Sequence, residues 1–481
     1  MKQYKGIFWE LIFWITIMYN AVFVYGSEYE AQFDGYLFEL SESPLEYDSF
    51  FDSEVTAATN IVKSESEYIC DNIYWIQDIE DISALDKAGI ISYYEPNYRV
   101  TLFDNGVSSY RDNGCSYEML HAEYADERNI NGSGIRIGVI DSGVDFSNLD
   151  LQNADILDGH DYITQSQQVT DEDYHGTMVI QVISGDKNLT GTTGIARKAS
   201  IVPLKCFSGS SGGTIRYLVE AIYDAVDKYN CDIINMSWGL SEQSALLYKA
   251  INYAYNAGVF IVAASGNVTS SFPQGTLIYP ACYDEVIGVS AIDASYTIID
   301  KSQRGNNIMV CAPGERIPLI TSLGTVSYES GTSFAAPCVT SVLALLLQLS
   351  PYFNYEAIIE LFAERVVDLG NDGFDELYGY GFPQIDVLIG LKWSYYLISE
   401  ENASRKYKVY GWYVNNSPGS IIIASYDSSG QMQEIKLLEM SNQKVSFEEF
   451  IDKQGISEFV VYYTDEELSP ISNSDHYTFN K

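Results

Sequence analysis

The chain has 481 residues, 46% of them hydrophobic and 19% charged, with 36 glycines and 12 prolines. This globular profile supplies apolar mass for a large core and excludes a collagen-like or extensively disordered chain, while the length implies about two to four domains. Sixty-six acidic side chains against 27 basic ones give a formal charge of −39, so phosphate backbones are repelled, no nucleic-acid partner is expected, and the acidity reads as a solvated surface compatible with basic peptides or calcium.

At the start, Lys2 and Lys5 precede an apolar run over residues 6–26 that Glu10 and Asn20 interrupt. Its uninterrupted part, residues 11–19, is short for a membrane span. A charged start, a short apolar stretch and the small pair Gly26-Ser27 read as a signal peptide over residues 1–26, with a retained anchor as the alternative. Either way the rest of the chain is expected to be secreted or at the cell surface, touching a membrane only if the segment is retained. Seven cysteines (Cys70, Cys115, Cys206, Cys231, Cys282, Cys311 and Cys338) lie far apart with no C-x-x-C pair. Such a set argues against a disulfide framework and a zinc site and suits buried core positions, with one disulfide left open.

Residues 27–105 alternate apolar and polar side chains, as in Tyr36-Leu37-Phe38-Glu39-Leu40. A helix-sized stretch, residues 81–89, ends in glycine and precedes the strand-like residues 90–94. Strands bracketing a helix in so short a segment suit a small α+β domain. From residue 135 to about 393, short apolar strands (135–140, 201–206, 233–236, 259–263, 286–289) alternate with helix-length runs such as 215–229 and 334–349. That pattern predicts an α/β fold, a mostly parallel sheet covered on both faces, with the active loops at the carboxyl ends of its strands. Beyond residue 398, strand-like segments such as Ser420-Ile421-Ile422-Ile423-Ala424 separated by turn signals predict a small all-β appendage over residues 400–481.

Three motifs on the parallel-sheet region carry chemistry. Residues 135–140 lead into Asp141-Ser142-Gly143, a carboxylate at the end of a buried strand, which is costly unless hydrogen-bonded or paired. Alone it could equally orient a metal or a ribose. His175, one of four histidines, sits in Asp173-Tyr174-His175-Gly176-Thr177 at the entrance to an apolar helix, with a glycine that lets another backbone come close. Ser330-Gly331-Thr332-Ser333-Phe334-Ala335-Ala336-Pro337 opens a second apolar helix. There Ser333 reads either as a helix cap or as a hydroxyl that a nearby imidazole activates.

The ordered set Asp-Ser-Gly, His-Gly-Thr and Gly-Thr-Ser-Phe-Ala-Ala-Pro resembles the subtilase family over about residues 117–391. The resemblance implies a subtilisin-like three-layer catalytic domain over residues 117–395 and a serine endopeptidase acting on peptides or proteins. In it Ser333 is the nucleophile, His175 the base and Asp141 the group that orients the imidazole. Ala263-Ala264-Ser265-Gly266-Asn267 lines up with the family's oxyanion segment, which implies Asn267 as a donor to the tetrahedral intermediate. Ser237, Trp238 and Gly239 resemble the edge along which substrate lies as an added strand, with Ser265, Gly266 and Ile278 near the pocket for the residue preceding the cut.

Two departures from the family pattern are expected to narrow selectivity. Trp238 stands where a smaller aliphatic is usual and is expected to reshape neighbouring pockets. Ile278 stands where glycine is common and is expected to shorten the pocket, favouring small or medium residues. Asp171, Glu172 and Asp173 read as a solvated acidic loop, or else as a preference for a basic residue before the cleaved position. The resemblance also implies a structural calcium ion held by Asp150, Asp186, Asn188, Thr190 and Thr192. Tyr94-Glu95-Pro96-Asn97-Tyr98 resembles the end of the family's inhibitory propeptide, implying a zymogen whose own residues 27–105 inhibit it until a cut between residues 100 and 116. The alternatives are a catalytically silent subtilase fold acting as a binding scaffold, and a maturation protease of narrow specificity.

Overall fold

The structure, a computed structural model, describes residues 33–41, 61–102, 116–187, 191–209, 212–351 and 353–389, and in the C-terminal part 396–400, 406–413, 419–427, 429, 431–440, 445–452, 458–465 and 475–478. The expected signal segment and Cys115 lie outside these residues. The chain divides into two compact units, residues 1–99 with Thr214–Arg216, and the remainder.

In the first unit, strands β1 (Phe33–Leu40), β2 (Ser66–Cys70), β3 (Ile73–Ile76) and β4 (Ile91–Leu102) form an antiparallel sheet in the order β4-β1-β3-β2. The last residues of β4, from Val100, are assigned to the second unit. Helix α1 (Ile79–Lys87) starts at Asp78, whose side chain accepts from the Glu80 N–H at 2.8 Å, an N-cap interaction that satisfies one of the helix's free donors. It ends before Gly89, which takes the left-handed conformation (φ +69°) that glycine adopts without strain. Ile82 and Leu85 of α1 pack with Phe38, Leu40 and Ile76 into one buried cluster.

The second unit is built on parallel strands β5 (Arg136–Asp141), β6 (Ser200–Lys205), β7 (Ile233–Met236), β9 (Phe260–Ala264), β10 (Ile287–Ile292) and β11 (Val310–Pro313), with the short β8 (Trp238–Gly239) off this sheet and antiparallel to its partner. The main sheet runs β11-β10-β9-β7-β5-β6. Its strands are apolar without alternation because both faces are covered: Ile137, Val139, Ile233, Ile234, Ile261 and Val262 are all buried. Helices α2 (His175–Ser184), α3 (Ile215–Asp227), α4 (Ala245–Asn256), α5 (Thr332–Leu349) and α6 (Tyr355–Arg365) follow in chain order. Of these α5 is the central one, packed on β7, β9, β10 and β11 and against α2. It is long and apolar enough to cross a membrane, yet its residues are almost all buried inside this unit, so its hydrophobicity is that of a core helix. Past residue 395 the described elements are all strands, in a three-stranded and a four-stranded antiparallel sheet.

The six described cysteines are free thiols. The acidic composition is managed in a way the sequence does not announce. Tyrosine hydroxyls donate to carboxylates where lysine and arginine are scarce: Tyr253 to Asp227 at 2.7 Å, Tyr248 to Glu285 and Tyr255 to Glu356 at 2.9 Å. A neutral donor holds a carboxylate without requiring a counter-charge.

Candidate active site

Asp141 ends β5 and is wholly buried. Its Oδ1 accepts from the Ser142 N–H at 2.8 Å and lies 2.7 Å from His175 Nδ1. His175 opens α2 from Tyr174, a left-handed residue (φ +69°) that offers no side-chain cap. The cap comes instead from Asp171. Its Oδ1 accepts from the Tyr174 N–H at 2.8 Å, and its Oδ2 from the Thr177 N–H at 2.8 Å and hydroxyl at 2.6 Å. The two motifs also interlock. Ser142 Oγ accepts the Gly176 N–H at 2.8 Å, and a Cβ on Gly176 would meet the Gly143 carbonyl at 2.5 Å. Only glycine permits that approach.

Burial alone would push the His175 pKa down. Asp141 beside it, with Asp171 and Asp173 adding to the effect, outweighs burial, and the pKa stands above the ordinary 6.5. Among the described residues His175 Nε2 and Asp141 Oδ2 have no hydrogen-bond partner.

Ser333 is the second residue of α5, and the N-cap is Gly331, so the helix-cap reading of Ser333 is corrected. Pro337, four residues on, has no N–H to give the Ser333 carbonyl. That carbonyl accepts from Ser237 Oγ at 2.9 Å, while the Ser333 hydroxyl donates to the Ser237 carbonyl at 3.2 Å. Reaching His175 Nε2 therefore requires the Ser333 hydroxyl to turn away from Ser237. Asn267 is buried beside them, its Oδ1 accepting from both the N–H and the hydroxyl of Thr332 at 3.0 Å. Its Nδ2 has no partner among the described residues. A Cβ on Gly331 would stand 2.8 Å from that nitrogen, so the glycine keeps the space open.

On the expected substrate edge, Trp238 and Gly239 pair antiparallel with Leu102 and Thr101 of the chain's own β4. The expectation that the Trp238 side chain reshapes a pocket is corrected. Its indole is wholly buried, donates to the Ile140 carbonyl at 3.0 Å and leans on Phe207. It braces the strand end that carries Asp141. Ile278 is wholly buried against Gly266 (φ +101°), whose Cβ would lie 2.7 Å from Ile278 Cγ1. Ser265, next to it, is buried as well.

The acidic run is solvated only in part, with Glu172 and Asp173 exposed and Asp171 buried. Asp171 is the buried cap, Glu172 pairs with buried Lys205, and Asp173, though exposed, accepts the Gly209 N–H at 2.6 Å. Of the residues expected to hold calcium, Asp150 is wholly buried and Thr192 nearly so. The Asp186 N–H donates to the Asp150 carbonyl at 2.7 Å, and its carboxylate accepts from the Asn153 amide at 2.8 Å. Asn188 and Thr190 lie outside the described residues. Among those described, no three histidine, cysteine, aspartate or glutamate side chains converge as a metal centre.

The subtilase family model matches residues 132–381, the span that carries every element of this site. The chain belongs to the subtilase family. It is similar to subtilisin DY of Bacillus licheniformis, 31% identical over 268 residues that cover 56% of this chain and 95% of that protein. It is similar also to the minor extracellular protease Epr of Bacillus subtilis (strain 168), 31% identical over 64% of this chain and 48% of that one. Fervidolysin from Fervidobacterium pennivorans, a keratinolytic enzyme related to subtilisin, shares the fold with a TM-score of 0.64 at 20% identity, over 94% of this chain and 77% of that chain. This subtilase is a serine endopeptidase with a subtilisin-like α/β fold. Sequence reasoning named Asp141, His175, Ser333 and Asn267 and singled out Asp171 within an acidic run, but gave no role to Lys205 or Pro337, whose contacts reach across the fold. Pro337 alone carried a signal, being a proline inside an apolar helix.

Proposed function

We propose that this subtilase cleaves peptide bonds through Asp141, His175 and Ser333. Ser333 Oγ attacks the carbonyl carbon while His175 Nε2 takes its proton. Asn267 Nδ2 and the Ser333 N–H receive the oxyanion, and His175 returns the proton to the leaving amine. Water then attacks the acyl-enzyme by the same relay and frees Ser333. The observation that carries this reading is the 2.7 Å contact between Asp141 and a histidine whose Nε2 is left open. A fluorophosphonate probe should label the enzyme and fail on Ser333→Ala; equal labelling of that variant would overturn the assignment. A cleavage profile of the unlabelled enzyme should show small or medium residues before the cut, because Ile278 fills the space beside Gly266.

The chain is proposed to be a secreted zymogen. Thr101 and Leu102 occupy the edge that a substrate strand would use, which supports self-inhibition until a cut between residues 100 and 116. The name of the extracellular relative Epr supports secretion. Sequencing the N-terminus of the active enzyme tests the cut, and a start before residue 100 would refute it.

A structural calcium ion fits the residues around Asp150. Its Oδ2 would stand 2.9 Å from a Cβ on Gly191 and 3.0 Å from one on Gly185, so the carboxylate lies against loop backbone. A buried carboxylate is an oxygen ligand suited to a hard cation. Asp150 and Asn188, with carbonyls of Asp186, Thr190 and Thr192, would hold it, taking no part in the reaction. A chelator should lower Tm by roughly 5–10 °C; an unchanged melting curve would remove the site.

A further inference from the structure

We propose that Lys205 is a positioning residue for His175, fixing the loop that caps the histidine's helix; this rests on the triad reading above. Lys205 ends β6 and lies in register with Asp141 at the end of β5. Its residue surface is only 2% exposed, an expensive place for an ammonium group unless it is paired. Its Nζ donates to the Thr170 carbonyl and pairs with the Glu172 carboxylate.

Those contacts hold both sides of Asp171, the residue whose carboxylate takes the N–H groups of Tyr174 and Thr177. From the other side the same loop is tied to the chain just beyond Asp141, where the Val144 N–H donates to the Val169 carbonyl at 2.8 Å and Val144 bridges Thr170. The loop before His175 is thus clamped by two residues that are themselves neighbours of Asp141. Releasing one clamp lets the imidazole shift against Asp141 Oδ1, and small misplacements of a reacting group cost rate.

Lys205 also sets the charge around the site. His175 faces Asp141 from β5 and Asp171 and Asp173 from its own loop. Lys205 faces Glu172 from that loop, with Asp141 on one side in register and Asp161 on the other. It is the cation set among these carboxylates, so its removal strengthens the acidic field at the imidazole.

The experiment compares the full-length zymogen, allowed to mature, with Lys205→Met, Lys205→Gln and Lys205→Arg. Active sites are counted by fluorophosphonate labelling so that lost folded fraction does not enter the rates. In K205M, kcat per labelled site should fall about tenfold with KM within about twofold. The acid limb of kcat/KM should move up by roughly half a pH unit. K205R should restore both. K205Q keeps a donor for the Thr170 carbonyl but not the charge, and should move the limb with little change in kcat. A limb and kcat that stay at parental values in K205M and K205Q would overturn the proposal. If K205M yields no labelled protein, the limb of K205Q decides. Parental activity in His175→Ala would instead sink the triad reading beneath it.

Discussion

Replacing Asp141 with asparagine is expected to lower kcat by roughly 10⁴, the size of loss that follows when a triad keeps its geometry but loses its carboxylate charge. The reason lies in what Asp141 touches. It is wholly buried and sits 2.7 Å from His175 Nδ1, so the imidazolium formed when Ser333 gives up its proton has its counter-charge at contact distance. Asparagine leaves that cation in a buried site without it. The pH profile should report the same change with a definite sign. His175 must be neutral to act as a base, and Asp141, Asp171 and Asp173 raise its pKa against the opposing effect of burial. The acid limb of kcat/KM should therefore lie above pH 6.5 in the parent enzyme and move down in the variant, where burial is opposed by less charge. A variant that keeps more than a tenth of parental kcat, or an acid limb that moves up, would remove Asp141 from its assigned place.

Much of this site was legible because its chemistry is written in short motifs. Asp141, His175 and Ser333 each stand where a buried strand or apolar helix begins or ends, and that context is local. The parallel sheet was legible for a similar reason, since a strand such as β9 is apolar without alternation only when both faces are covered. What stayed hidden depends on which side chain reaches across. Trp238 reads as a pocket residue until its indole is seen bonded to the Ile140 carbonyl. The acidic run before His175 reads as a solvated loop, yet its partners Thr177, Lys205 and Gly209 come from three other places in the chain. Charge count is silent on a related point: on the acidic surface several carboxylates are met by tyrosine hydroxyls. Composition counts donors by charge, whereas a fold counts them by reach.

Substituting Asn267 with alanine is expected to lower kcat by about 10²–10³, or roughly 2.7–4 kcal/mol of barrier, the range established for one such donor in a subtilisin. KM should change little, because the amide meets full charge only in the transition state. Asn267 is suited to this by how its other end is held. Two bonds from Thr332 at 3.0 Å fix its carbonyl oxygen, which leaves Nδ2 buried, oriented and unspent among the described residues. A donor already aimed requires no reorganisation when the oxyanion forms. Two neighbours should then behave as graded controls. Thr332→Val removes one of the two bonds and should cost about a factor of five in kcat, in line with one lost neutral hydrogen bond. Gly331→Ala places a Cβ 2.8 Å from Nδ2 and should cost more than Thr332→Val, by displacing the donor itself. Equal kcat in all three variants, measured per labelled active site, would show that Asn267 does not face the oxyanion.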